Sequence, residues 1–146
     1  MFEPCLKVKE RMDKFGFPWF FAGAWAIDLF LGRETRAHGD LEIGIYRKNQ
    51  MQLCRFFSKS KKHFVDNRNY TGKRERHEWT KEYLRPPIHE LYIDLGGLEL
   101  EVQLNERDDH NWIYRRDSCV HHPRRTAGRR IDTARPASPG PGPTAG

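Results

Sequence analysis

The sequence predicts an α+β domain with a small mixed sheet and flanking helices, and three observations carry that prediction. Residues 3–15 repeat their apolar side chains at a helical period. Residues 40–46 and 98–105 alternate strictly between apolar and polar, as half-buried strands do. Gly96-Gly97 separates the second of these from another apolar stretch, the pattern of a two-residue hairpin.

In the first helix, Leu6, Val8, Met12 and Phe15 form the apolar face against Lys7, Lys9, Glu10 and Arg11, and Gly16 supplies a stop. Pro18 then opens an aromatic run, Trp19 to Ala22, short enough for a buried strand. Gly23 breaks it. Ala24 to Leu31 suits a short helix with Trp25 and Leu29 inward, Ile27 as a further candidate, and Gly32 at its end. After a polar connection, the strand 40–46 turns Leu41, Ile43 and Ile45 one way and Asp40, Glu42 and Gly44 the other. Residues 48–59 read as a helix with Met51, Leu53, Cys54, Phe56 and Phe57 inward, and 63–70 as a strand. Residues 71–85 are highly charged and ambiguous. The hairpin pairs 89–95 with 98–105, whose Leu98, Leu100, Val102 and Leu104 oppose Glu99, Glu101, Gln103 and Asn105.

The 146 residues fit one domain, and no apolar run approaches the roughly 20 residues that span a bilayer. The beginning of the chain lacks a basic-then-apolar signal segment. The three cysteines, Cys5, Cys54 and Cys119, form no C-x-x-C pair, so a zinc ribbon and a disulfide framework are set aside and a reducing cytoplasm is expected. The net charge of +6 is uneven. From Cys119 onward five arginines face one acid, so four of the six charges lie there and residues 1–118 are only mildly basic. That stretch also holds five of the nine prolines and few large apolar residues. We therefore expect a domain over 1–118 and a disordered Arg/Pro/Gly-rich tail over 119–146, which reads as the product of a truncation or frameshift.

Asp40 and Glu42, two apart on one strand, project from the same face, where their oxygens can approach one hard cation. A neighbouring strand offers Glu99 or Glu101 as a third carboxylate. Alone, such a pair reads equally as the solvated side of a strand. The preceding segment adds weight. A glycine between an apolar strand and a helix lets backbone approach a phosphate, and a helix N-terminus offers free N–H groups.

The run from Phe21 to Ile43, with Gly23, the Trp25-Ala-Ile-Asp28 helix, the Gly32-Arg-Glu-Thr-Arg-Ala-His38 lead-in and Asp40-Leu-Glu42, resembles the signature of polymerase-β-type nucleotidyltransferases. Within them it is most similar to the aminoglycoside 2''-adenylyltransferase-like and lincosamide nucleotidyltransferase-like branch. Leu98 to Glu106, then Trp112 and Tyr114 to Asp117, resembles that branch's third-carboxylate strand and the segment after it, so the resemblance covers roughly residues 5–118.

The resemblance implies the polymerase-β-type fold and magnesium-dependent transfer of a nucleotidyl group, adenylyl first among them. The donor would be ATP or another nucleoside triphosphate, and the acceptor a hydroxyl of a small aminoglycoside- or lincosamide-like molecule. Asp40, Glu42 and Glu101 match the catalytic carboxylates that hold two Mg2+ ions, with Glu101 preferred to Glu99 and assigned as metal ligand or base. Gly23 matches the glycine at the phosphate, and Ala24 stands where the family has a second glycine. Its N–H remains, but its Cβ opposes a positive φ and is expected to crowd the phosphate.

Arg33 and Arg36 are candidates for triphosphate oxygens or a solvated loop, and His38 for a nucleotide contact, for orienting a carboxylate or for a structural hydrogen bond. Asp28 is expected to be structural and to bond the 33–38 loop. Trp25 is expected in the core rather than under a base. Lys59, Lys61, Lys62 and the run 73–76 are expected on a solvated face. P-loop, dinucleotide-fold, H-E-x-x-H and serine-elbow patterns are absent from the sequence. Two other readings stand beside the enzyme: a remnant that binds nucleotide without transfer, and, less favoured, a basic nucleic-acid-binding protein driven by the arginine tail. No membrane partner is expected, and the oligomeric state is open.

Overall fold

The computed structural model describes residues 1–68, 74–108, 111–113 and 121–123. Among the described residues, three α-helices pack against one sheet. Helix α1 (Glu3–Met12) begins with Glu3 and Pro4, suited to the free N–H groups of a first turn, and ends with Lys9 and Arg11 near its carbonyl end. It buries Cys5, Val8 and Met12. Leu6, expected inward, is 58% exposed, and Cys5 takes its place on the buried face. Strand β1 (Trp19–Ala22) leads directly into α2 (Gly23–Leu31), which Gly32 ends in a left-handed conformation. On α2, Trp25, Ala26 and Asp28 are buried, whereas Ile27, offered as a core residue, is 60% exposed.

Strand β2 (Leu41–Tyr46) follows, so Asp40 lies just before the strand rather than in it. A 3-10 turn (Arg47–Asn49) precedes α3 (Gln50–Phe56). Strands β3 (Lys62–Val65), β4 (Arg76–Glu78), β5 (Glu90–Asp94), β6 (Glu99–Arg107), β7 (Asn111–Ile113) and β8 (His121–Pro123) complete the described elements. The strand expected over 63–70 is therefore shorter and begins one residue earlier. The expected hairpin forms β5 and β6, with positive φ at both Gly96 and Gly97.

The sheet order is β1-β2-β6-β5-β3-β4, and β7 adds to β6 and β8 to β7. The pairing of β7 with β8 places residues 121–123 in a strand beyond the expected edge at 118. Residues 119–120 and 124–146 lie outside the described residues. Strands β2 and β6 run parallel, and every other described pair is antiparallel.

One sheet face is apolar, because the period-2 alternation sends Ile43, Ile45, Leu91, Ile93, Leu100 and Val102 to the same side, all 0% exposed. Each such side chain contributes roughly 1.5–3 kcal/mol by leaving water. The connection from β4 to β5 lacks regular structure but is tied down by buried polar groups. Gln50 bonds both the N–H and the carbonyl of Leu84, and Arg47 donates to the carbonyls of Leu84 and Ile88 and to Glu106.

One charge assignment needs correction: Lys62 is 7% exposed and donates to the carbonyls of Phe57 and Ser60, where the C-terminal end of α3 favours a cation. Arg74 and Arg76 are exposed, as expected, and pair there with Glu90 and Glu99.

Candidate active site

The candidate site lies on the polar face of the sheet, at the junction of β1 and α2. Gly23, the first residue of α2, has φ +63, and a Cβ built on it would lie 1.8 Å from Glu42 Oε2. The Glu42 carboxylate therefore rests against bare backbone at the start of a helix, where any side chain at position 23 would displace it. No side chain caps that helix start. Ala24 is half-buried within the first turn of α2, and Phe2 is the one non-glycine residue with positive φ among the described residues. The expected backbone conflict at Ala24 thus does not arise: the left-handed residue is Gly23, and Ala24 suits its helical backbone.

Glu42 stands directly opposite Glu101 across the parallel β2–β6 pair. Both are half-buried and share the polar face. Burial pushes the Glu101 carboxyl up to about 8, helped by the charges of Glu42 and Glu90. Glu99, the competing third carboxylate, is held in a two-pronged ion pair with Arg76, both contacts at 2.9 Å. Asp40 is exposed at the entry to β2, two residues ahead of Glu42.

Sequence reasoning did not single out Glu90, Tyr92, Arg74 and Gln103 as groups around Glu101. Tyr92 pairs with Glu101 in register, Gln103 Nε2 donates to Glu101 Oε1 at 2.5 Å, and the Tyr92 hydroxyl and Arg74 both donate to Glu90. Burial alone would raise the Glu90 carboxyl, but the Tyr92 hydrogen bond and the Arg74 charge outweigh it and leave it lowered. The alternation of β5, with Glu90 and Tyr92 between Leu91 and Ile93, was the available signal.

The loop between α2 and β2 is anchored on Asp28, which is 0% exposed. It accepts from the Thr35 hydroxyl at 2.6 Å and the Thr35 N–H at 3.0 Å, and pairs with His38 Nε2 at 2.5 Å. The Thr35 hydroxyl, with His38 and the Thr35 N–H, holds Asp28 down at about 2 against the cost of burial. The expected bond from Asp28 to this loop is therefore present. The His38 side chain is 3% exposed and packs against Trp25 with ring centroids 4.6 Å apart and planes tilted by 54°, so it supports the loop. Trp25 is in the core, as expected. Arg33 and Arg36 are exposed. Arg33 follows the end of α2 opposite Gly23, and Arg36 donates to the neighbouring Ala37 carbonyl at 3.4 Å. The structure thus brings Gly23, Glu42 and Glu101 together, sets Asp40 at their edge, and ties neither arginine to them.

Among the described residues, no three His, Cys, Asp or Glu side chains already close on one point as a metal cage. The donor set nevertheless fits a hard cation, since Glu42 and Glu101 face one another across β2 and β6 as oxygen ligands, and positive charge between them relieves the repulsion that helps to raise the Glu101 carboxyl. The family model for aminoglycoside-2''-adenylyltransferase matches residues 5–134. The chain belongs to this family. Its fold is similar to that in the crystal structure of ANT(2'')-Ia in complex with adenylyl-2''-tobramycin, with a TM-score of 0.50 at 17% identity. That likeness covers 75% of this chain and 52% of the other, so the chain spans about half the length of the solved structure. No curated protein matches. The α+β nucleotidyltransferase fold is as the sequence predicts, and the family match runs on past residue 118.

Proposed function

We propose that this chain transfers an adenylyl group from ATP to a hydroxyl of an aminoglycoside, with Mg2+ held by Asp40, Glu42 and Glu101. The observation that carries the proposal is the facing pair Glu42–Glu101 beside the bare backbone of Gly23 at a helix start. Family membership supplies the reaction class.

In this reading the acceptor hydroxyl attacks the α-phosphorus of ATP and pyrophosphate leaves. Bound Mg2+ supplies charge neutralisation for the nucleophile and the leaving oxygen. Gly23 allows phosphate oxygens to approach the first N–H groups of α2. Glu101, facing Glu42 across the β2–β6 pair, would stand beside the attacking hydroxyl as metal ligand or as the base that takes its proton. Most of the acceleration is positioning and electrostatics. Asp28 and His38 hold the loop that delivers Asp40 to the edge of the site.

The test is pyrophosphate release from ATP and Mg2+ against a panel of aminoglycosides and lincosamides. Wild type should release pyrophosphate only with an aminoglycoside acceptor. Asp40→Asn should lose at least about 100-fold in kcat with an unchanged circular dichroism spectrum. A rate in Asp40→Asn equal to wild type overturns the assignment. Release driven by a lincosamide alone corrects the acceptor and leaves the chemistry standing.

A further inference from the structure

Of the large apolar side chains in β1 and β2, Phe20 departs from the apolar face. The alternation that sends Trp19 and Phe21 against the core sends Phe20 to the polar face, where it is half-buried. Its register partner is Gly44, and Gly44 in turn pairs with Gln103 of β6. A Cβ built on Gly44 would lie 2.3 Å from both Cε2 and Cζ of the Phe20 ring, and 2.9 Å from Asn105 Nδ2. The ring therefore lies across β2, in the space a side chain at position 44 would fill. Asn105 borders it, accepting from Trp112 Nε1 at 3.1 Å and donating to the Gln103 carbonyl at 3.0 Å. The result is an aromatic shelf, one same-face step along the strands from Glu42 and Glu101.

The register fixes where this shelf stands relative to the reaction. Ala22, Glu42 and Glu101 form one row across β1, β2 and β6, and Phe20, Gly44 and Gln103 form the next row on the same face. Two residues of strand separate the rows by about 7 Å. Gly23 and the start of α2 lie beyond the carboxylate row on its other side. The carboxylates thus stand between the bare backbone of Gly23 and the shelf. In phosphoryl-type transfer the attacking and leaving oxygens stand roughly in line across the phosphorus. With pyrophosphate leaving toward Gly23, the acceptor comes from the side of Phe20. A flat aromatic ring there suits the apolar C–H face of a sugar or cyclitol ring, and its π face attracts ammonium substituents. We propose that Phe20, laid across Gly44, is the platform of the acceptor subsite and binds an aminosugar ring of the acceptor. The assignment rests on the reading of the site as one of adenylyl transfer to an aminoglycoside.

The probe is the aminoglycoside of the panel above that gives wild type its highest kcat/KM. The experiment measures its KM, its Kd by titration calorimetry without ATP, the KM for ATP and the urea midpoint, in wild type, Phe20→Ala, Phe20→Trp and Gly44→Ala. Removing an aromatic contact to a cationic ring costs about 3–30-fold in affinity. Phe20→Ala should raise the aminoglycoside KM and Kd by that factor and leave the KM for ATP where it was. Phe20→Trp keeps a π face and should stay near wild type. Gly44→Ala keeps the ring but fills its seat, so it should raise the aminoglycoside KM and Kd as well, and it carries the test if Phe20→Ala does not fold. Aminoglycoside KM and Kd equal to wild type in Phe20→Ala and Gly44→Ala overturn the subsite, with a lowered urea midpoint marking a packing role instead. A rise confined to the KM for ATP gives the ring to the nucleotide base and overturns it too. If Asp40→Asn abolishes turnover while the Phe20 and Gly44 variants bind the aminoglycoside as wild type does, the subsite alone fails. If wild type releases no pyrophosphate with any aminoglycoside, the underlying reading fails and the subsite goes with it.

Discussion

Gly23 is the residue with least freedom to vary. Its φ of +63 suits glycine, and the space a Cβ would need is filled by Glu42 Oε2. Left-handed backbone costs an L-residue roughly 1–2 kcal/mol, and the displaced carboxylate adds to that. Gly23→Ala should destabilise the fold by about 1–3 kcal/mol in urea unfolding and lower kcat/KM at least about tenfold. Unchanged kinetics would mean that Glu42 can turn aside without losing its task. Glu101 gives a second expectation. Its folded pKa of about 8 lies above the ordinary 4.5, so it binds its proton more tightly folded than unfolded. The stability this contributes is fully present below about pH 4.5 and is lost as pH rises through about 8. The urea midpoint of the metal-free chain should fall over that window, and Glu101→Gln should flatten the fall. An identical slope in wild type and mutant would locate the titration elsewhere.

At the scale of elements, β4 shows how a weak strand is kept. Its three residues are exposed and none is apolar, although the His77 ring stacks on Phe64 of β3. Arg76 holds it by pairing with Glu99 and lying 3.7 Å from the centroid of the Tyr92 ring. Exposed ion pairs and cation–π contacts are each worth up to about 1 kcal/mol. Arg76→Ala should therefore cost about 1 kcal/mol in urea unfolding and should speed amide exchange at β4 first. Loss of protection spread evenly over the sheet would contradict a local role. The same strand marks where the sequence stopped being legible. β2, β5 and β6 were readable because alternation, two glycines and clear apolar faces all point to one structure. β4 and Lys62 were not, because their environment is set by Glu99, Tyr92 and the carbonyls at the end of α3, partners distant in sequence or unmarked by pattern. Leu6 and Ile27 failed for a related reason: helical period gives a stripe but not its rotation, and Cys5 and Asp28 took the buried positions.

For the whole molecule, the parallel pairing of β2 with β6 is the decisive contact. Spacing made Asp40 and Glu42 visible as a pair and left Glu99 and Glu101 as alternatives. Register placed Glu101 opposite Glu42, and Arg76 engaged Glu99, neither of which spacing can report. That pairing joins segments roughly 60 residues apart in sequence. Contacts so distant must close a long loop before they return any stabilisation, and chains that depend on them fold slowly. The β5–β6 hairpin is local and can form early, carrying Glu101, Glu90 and Tyr92 together. Glu42 arrives only when β2 docks beside it. The two carboxylates therefore meet late in folding, and a nascent chain keeps them apart until β6 has emerged and found its neighbour.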